Sequence, residues 1–215
     1  MRAIIIASGD IGDDQWLKKY ILPEDTIICA DGGYNHLARI GQIPDVIIGD
    51  MDSIREERRA QCQRFVHPRK KDETDAQLAL DYAMEKGFRD VRLLGALGGR
   101  RIEHELANVF MLQYAAMHGV QMVIETEFSS IFFYRGPVTF SLHGHRGDYL
   151  SLIPIGGDVT GITTHNLEYP LQDGRLRSGV PMGISNVLLD TTFTVELAEG
   201  ELLVILTKAD EVDKG

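Results

Sequence analysis

Several things are scarce in this chain of 215 residues, and each scarcity removes a class of protein. There are only two cysteines, Cys29 and Cys62, which excludes a disulfide-built scaffold. Cys29 sits within an apolar run and reads as a small core residue, so a reduced, cytoplasmic setting is the simpler expectation. Basic residues are outnumbered, 22 Lys and Arg against 32 Asp and Glu, for a formal net charge of -10. That excess argues against sequence-independent binding to nucleic acid, which needs a broad cationic face. No apolar run is long enough to span a membrane, and Met1–Ala7 is too short for a signal peptide, so no membrane partner is expected. There is one tryptophan, Trp16, which reads as packing on a short helix over Asp13–Tyr20. Internal repeats, low-complexity tracts and long linkers are also missing.

What is present is a change of rhythm near residue 126. Before it, nearly continuous apolar runs alternate with helical segments, the pattern of a mostly parallel sheet covered on both faces. Strands are expected at Ala3–Ala7, Thr26–Ala30, Val46–Ile48, Val91–Leu94 and Gln121–Glu125. Asp75–Lys86 carries Ala76, Ala79, Leu80, Ala83 and Met84 on one helical stripe, and a second helix is expected from Ile102 to Met117. After residue 126, short strands are expected at Ile131–Arg135, Val138–Leu142, Asp148–Ile153, Val159–Thr164, Val187–Leu189, Thr192–Leu197 and Leu202–Thr207. Gly136-Pro137, Gly144, Gly156-Gly157, Asp173-Gly174 and Glu199-Gly200 punctuate them as turns. The expected architecture is an α/β domain over 1–126 followed by an all-β domain over 127–215.

In an open parallel sheet, ligands bind beyond the carboxyl ends of the strands, and four polar clusters fall there: Ser8-Gly9-Asp10, Asp31-Gly32-Gly33, Gly49-Asp50-Met51-Asp52-Ser53 and Gly95 to Arg101. Asp-Gly-Gly alone is more often a turn than a site. Asp50 and Asp52, spaced i, i+2 after a strand, point to one side and suit a hard cation, which commonly accompanies phosphate. Lys71-Asp72-Glu73-Thr74-Asp75 opens the first long helix. Thr74 and Gln77 have capping-box spacing, and Asp75 in the first turn suits the helix dipole, so a structural account suffices for them. It leaves Lys71 unexplained. A functional account makes Lys71 a phosphate partner and Asp75 a ligand of a bridging Mg²⁺, since carboxylate and phosphate otherwise repel. Gly98-Gly99-Arg100-Arg101 allows close backbone approach to a polyphosphate and supplies guanidinium forks, although paired arginines on a loop are commonly just surface. His104 and Asn108 extend that loop along one helical face. His143 and His145 lack further ligands at zinc spacing.

Taken together, Asp31-Gly32-Gly33-Tyr34-Asn35, Pro44-Asp45 with Ile48 through Ser53, Lys71 through Asp75, and Gly95 through Arg100 with His104 and Asn108 resemble the thiamine pyrophosphokinase family in order and spacing. So do Ser151-Leu152-Ile153-Pro154, Gly161-Ile162-Thr163-Thr164, Tyr169-Pro170-Leu171 and Gly183-Ile184-Ser185-Asn186 in the second half. The resemblance implies an α/β ATP-binding catalytic domain and a β-sandwich thiamine-binding domain. It also implies a homodimer with sites between subunits, and Mg²⁺-dependent transfer of a pyrophosphoryl group from ATP to the thiamine hydroxyl, yielding thiamine diphosphate and AMP.

On that reading Asp50, Asp52 and Asp75 hold the metal. Lys71 and Arg100 or Arg101 stabilise the polyphosphate. Asp31, Gly32, Asp72, Thr74, Gly98, Gly99 and His104 complete the ATP site, and Asp75 or Asp52 takes the hydroxyl proton. Ser185, Asn186 and Asp50 meet thiamine.

Three departures stand out. Gly99-Arg100-Arg101-Ile102-Glu103-His104 has one residue more than the family pattern and Glu in place of Asp. Asn166 replaces a common Gly, and Val187 a frequent Glu. The alternatives are a homologue that binds nucleotide or thiamine without transfer and, more remotely, an aspartyl-phosphate phosphatase. The latter places its Asp pair after the first strand, where this chain has Ser8-Gly9-Asp10.

Overall fold

The computed structural model describes residues 1–49, 62–66 and 72–209. The chain divides into two compact units, Met1–Glu127 and Phe128–Gly215.

The first unit is built on six strands: β1 (Arg2–Ile6), β2 (Thr26–Ala30), β3 (Val46–Gly49), β4 (Gln63–Val66), β5 (Asp90–Leu94) and β6 (Gln121–Glu125). They lie in the order β6-β5-β1-β2-β3-β4 with every pairing parallel. Parallel strands need crossovers, and the helices supply them: α1 (Asp14–Tyr20), α2 (Tyr34–Arg39), α3 (Asp75–Glu85) and α4 (Ile102–Met117). Strand side chains alternate between faces, which is why β1 is apolar at every position from Ala3 to Ile6. Ile4 and Ile6 join Leu17 of α1 and Leu37 of α2 in one buried cluster. Ile5, on the opposite face, and Ala79, Leu80 and Ala83 of α3 are fully buried, and α3 packs across β1, β2 and β3. Truncating Ile5 or Leu80 to Ala would cost about 2–5 kcal/mol, the usual range for a core cavity.

The expected strands are present, with β1 at Arg2–Ile6 rather than Ala3–Ala7. The structure adds β4 and the short α2, which hydrophobic patterning does not announce. β4 is an edge strand with Gln63, Arg64 and Val66 exposed, so it lacks the apolar run of its neighbours.

The second unit contains β7 (Ser129–Arg135), β8 (Val138–His143), β9 (Tyr149–His165), β10 (Gly174–Leu176), β11 (Asn186–Val187) and β12 (Thr192–Thr207), all antiparallel where paired. Here the sequence reading is corrected. Gly156-Gly157 and Glu199-Gly200 do not separate four strands; the chain runs through them as the long strands β9 and β12, with a register shift between Glu199 and Glu201. A bulge bends a strand without ending it, and glycine permits the bend. The two halves of β12 therefore pair differently, Thr192–Leu197 with β8 and Glu201–Thr207 with β7. Residues from both halves, Val195 and Leu197 with Leu202 and Val204, meet Leu150, Leu152, Val159 and Ile162 of β9 in one core. Bent strands with a shared interior make a two-layered sandwich. Tyr134 of β7 and Phe140 of β8 stack in this unit with ring centroids 3.6 Å apart. Among the described residues, no helix is long and apolar enough to cross a membrane.

Candidate active site

A cavity of about 560 Å³ opens at the carboxyl ends of β1, β2 and β5 and the N-termini of α3 and α4. Short loops from the strands bring polar backbone and side chains to this edge while the sheet beneath stays dry.

After β1, Ala7 donates to the carbonyl of Leu94, Gly9 to that of Gly95 and Asp10 to that of Leu97, at 2.9, 2.7 and 2.7 Å. These bonds zip the β1 and β5 loops together. Gly98, with φ +77°, sits where a side chain would meet the Asp10 Cβ at 2.6 Å. Only glycine fits that contact and that backbone region without strain.

After β2, Asp31 begins a 3-10 turn, Asp31–Gly33, with φ +42° although it is not glycine. Left-handed backbone in a non-glycine residue costs about 1–2 kcal/mol, and such strain concentrates where a side chain must be aimed. Asp31 is buried to 8% exposure and lines the cavity. Gly33 follows because a Cβ there would lie 1.9 Å from the carbonyl oxygen of Ile6.

Thr74 and Asp75 line the cavity from α3, and the Thr74 hydroxyl accepts from the Gln77 N–H at 3.1 Å. The capping account of Thr74 is therefore correct, and it coexists with a position on the cavity wall. Opposite, Gly99, Arg100, Arg101, His104, Glu105 and Asn108 line it from the β5 loop and α4. Asn108 is buried and donates to the Ala96 carbonyl at 2.8 Å, tying α4 to the loop that precedes it.

The two arginines differ. Arg101 donates through Nε to Glu103 at 2.7 Å, both side chains being largely exposed. The Glu103 carboxyl is held below its usual range by its own backbone N–H and then by Arg101. Arg100 makes no ion pair or side-chain hydrogen bond among the described residues. Glu103 is turned to Arg101, and Glu105 is the α4 carboxylate on the cavity wall. Sequence reasoning missed Glu105; its spacing of i, i+3 to Asn108 was the available signal.

Asp31, Thr74, Asp75, Gly99, Arg100, Arg101 and His104 thus share one cavity, whereas Gly32, Asp72 and Gly98 stand beside it without lining it. Asp50, Asp52 and Lys71 lie outside the described residues. In the second unit, Ser185 is exposed with φ +55°, and its N–H donates to the Ser151 hydroxyl at 3.0 Å. Asn186 is committed to backbone: its Oδ1 accepts from the Tyr169 N–H at 3.0 Å and its Nδ2 donates to the Tyr169 carbonyl at 2.7 Å.

An acid-and-guanidinium cavity at the carboxyl edge of a parallel sheet, carried on a chain with a second, antiparallel unit, defines a two-unit α/β protein equipped to hold a phosphorylated ligand. Comparison with known proteins narrows the class. A sequence model of the thiamin pyrophosphokinase catalytic domain matches residues 17–124, and one of the thiamin pyrophosphokinase vitamin B1 binding domain matches 138–202. The chain is 30% identical over 184 residues to the thiamine pyrophosphokinase of Bacillus subtilis, covering 83% of this chain and 85% of that one. It is 27% identical over 197 residues to thiamine pyrophosphokinase 1 of Oryza sativa, covering 78% and 74%. The crystal structure of thiamine pyrophosphokinase from Bacillus subtilis superposes with a TM-score of 0.87 at 28% identity, covering 97% of this chain and 100% of that one. The chain belongs to the thiamin pyrophosphokinase family.

Proposed function

We propose that the protein transfers a pyrophosphoryl group from ATP to the primary hydroxyl of thiamine, with Mg²⁺, giving thiamine diphosphate and AMP. The observation that carries this reading is the single cavity lined by carboxylates of Asp31 and Asp75 on one side and by Arg100 and His104 on the other. The donor set fits the metal: carboxylate oxygens suit a hard divalent cation, and a cavity that mixes carboxylates with a phosphate ligand needs one to prevent repulsion. Asp75, with Asp50 and Asp52, would hold Mg²⁺, which when bound neutralises charge on the polyphosphate oxygens.

The protein's own residues do the rest. The Gly98-Gly99 backbone lets the polyphosphate approach α4, and Arg100 forks onto its oxygens, with Lys71 as a second cation. Asp31 bounds the nucleotide end. The hydroxyl oxygen of thiamine bonds to the β-phosphorus as the bond to the bridging oxygen breaks, so AMP leaves with that oxygen and the hydroxyl proton passes to a carboxylate, Asp75 or Asp52. Ser185 and Asn186 bind thiamine, with Asn186 acting chiefly by fixing the Tyr169 backbone. A homodimer with sites between subunits completes the reading.

The test is AMP release by the purified protein with ATP, Mg²⁺ and thiamine, omitting each in turn. AMP that depends on all three supports transfer. Tight binding of thiamine or nucleotide with no AMP formed would instead make the protein a non-catalytic binding homologue.

A further inference from the structure

Behind the cavity wall lies a buried histidine that the transfer chemistry does not use. His36, on α2, is 8% exposed. Its Nε2 is 2.8 Å from the Gly9 carbonyl oxygen and its Nδ1 is 2.9 Å from Nη1 of Arg39, one helical turn on. Arg39 reaches further: Nη2 donates to the Ile11 carbonyl at 2.7 Å and Nε to Asp14 at 2.9 Å.

Hydrogen-bond bookkeeping fixes the tautomer. A carbonyl only accepts, so Nε2 carries the proton; a guanidinium only donates, so Nδ1 is the acceptor. The ring must be neutral to do both. Gly9 is itself a cavity-lining residue, and its N–H is bonded to Gly95 of the facing loop. The Ser8–Ile11 segment is thus gripped on its cavity side by the β5 loop and on its outer side by α2.

We infer that His36 is a positioning residue: as the neutral Nε2–H tautomer, braced by Arg39, it holds the Ser8-Gly9 wall where bound ATP meets it and releases that wall in acid. The charged groups that face the ring are Asp10 from the segment between β1 and α1, Asp14 from the first turn of α1, and Arg39 from its own helix. Burial, and then Arg39, depress its pKa below the ordinary 6.5, while the Gly9 bond and the two aspartates pull the other way. The folded protein therefore disfavours the imidazolium. As pH falls below 6.5 the unfolded chain takes up a proton that folded His36 refuses, so the bracing is complete above that pH and is lost as pH falls toward the lower folded value. Below it, Nδ1 carries a proton and cannot accept from Arg39.

The effect on ATP rests on the function proposed above; the tautomer and the loop do not, and they are measured without ligand. Nitrogen-15 imidazole spectra of the wild type should show the Nε2–H tautomer above pH 7. Hydrogen exchange at the Gly9 and Asp10 amides should accelerate as pH falls below 6.5, after correction for intrinsic rates, and should be fast at every pH in H36L. H36Q keeps a donor for Gly9 and does not titrate, so its exchange should lose that acid limb. In steady-state kinetics H36L should raise KM for ATP roughly fivefold at pH 8, the loss of one buried hydrogen bond, with kcat within about twofold. Phosphate titration affects every variant alike, so the steeper rise of KM in the wild type than in H36Q as pH falls below 6.5 isolates His36. An Nδ1–H tautomer, wild-type exchange in H36L, or an H36Q profile that superposes on the wild type would each overturn the inference. A wild type that forms no AMP would overturn the proposed function and leave the tautomer and exchange to judge His36.

Discussion

The N-termini of α3 and α4 line the same cavity but are built in opposite ways. Ahead of α3 come Asp72 and Glu73, then Thr74, whose hydroxyl accepts from Gln77, then Asp75 in the first turn. One of its backbone donors, the Gln77 N–H, is met by Thr74, and its charge is negative. α4 is preceded by Gly98, Gly99, Arg100 and Arg101 and has no side-chain capping bond; of its first-turn carboxylates, Glu103 is turned to Arg101 and Glu105 stands on the cavity wall. A helix N-terminus attracts anions through its dipole and unmet N–H groups, so the second arrangement invites phosphate. The first discourages phosphate and suits a cation. On the proposed function, the difference would set the metal toward α3 and the polyphosphate oxygens toward α4.

The sharpest way to break that assignment is Asp75→Asn. It removes the charge while keeping the shape, and pyrophosphoryl transfer should fall by about 10²–10³-fold in kcat, the scale on which loss of a charge-stabilising group is felt. Stability should fall by no more than about 1 kcal/mol, the worth of one acidic residue at a helix start. An Asp75→Asn protein with full activity would mean that the acidic helix start is structural only.

A second comparison sits within α4's own start. Arg100→Gln should lower kcat/KM for ATP by about 10- to 100-fold, the worth of one or two charge-assisted hydrogen bonds. Arg101→Gln should lower it by less than about threefold, since Arg101 is engaged by Glu103 in an exposed pair of the kind worth about 0–1 kcal/mol. Equal losses would mean that both guanidinium groups reach the ligand and that Glu103 releases its partner on binding.

How much of this was legible in the residues depends on what kind of signal each carried. β1, β2 and β5 were readable because parallel strands buried on both faces become continuous apolar runs, and α3 because its alanines and leucine repeat at helical spacing. β9 and β12 were misread as four strands, because a glycine pair that bends a strand has the same local signature as one that ends it; only the cross-strand register separates the two. The family was legible from motif order. Which of Glu103 and Glu105 faces the cavity was not, since it depends on how Arg100, Arg101 and Ile102 lead into α4. The bonding of the Asn186 amide to the Tyr169 backbone was not legible either, a contact across 17 residues of sequence that no local pattern announces. His36 left no local trace for the same reason: Gly9, which its Nε2 meets, and Ile11, which its neighbour Arg39 meets, come from a different loop.

The smallest effect tests the capping difference alone. Thr74→Ala removes the acceptor for the Gln77 N–H and leaves that donor to water at the cavity edge, so urea unfolding should show a loss of about 1 kcal/mol. The opposite change belongs at α4. Arg101 occupies its N-cap with extended backbone, φ -120° and ψ 93°, and contributes no capping bond. Serine there has the short hydroxyl that a cap requires, so Arg101→Ser should stabilise by up to about 1 kcal/mol in the same measurement. If the start of α4 serves a ligand, that gain should be accompanied by weaker ATP binding than in Arg101→Gln, because the new hydroxyl competes for the Glu103 and His104 N–H groups, which now meet the Glu103 carboxyl and the Arg101 carbonyl. A stabilised Arg101→Ser protein that binds ATP as well as Arg101→Gln would show that the open helix start is an unused vacancy, and the contrast between the two helices would then reduce to charge.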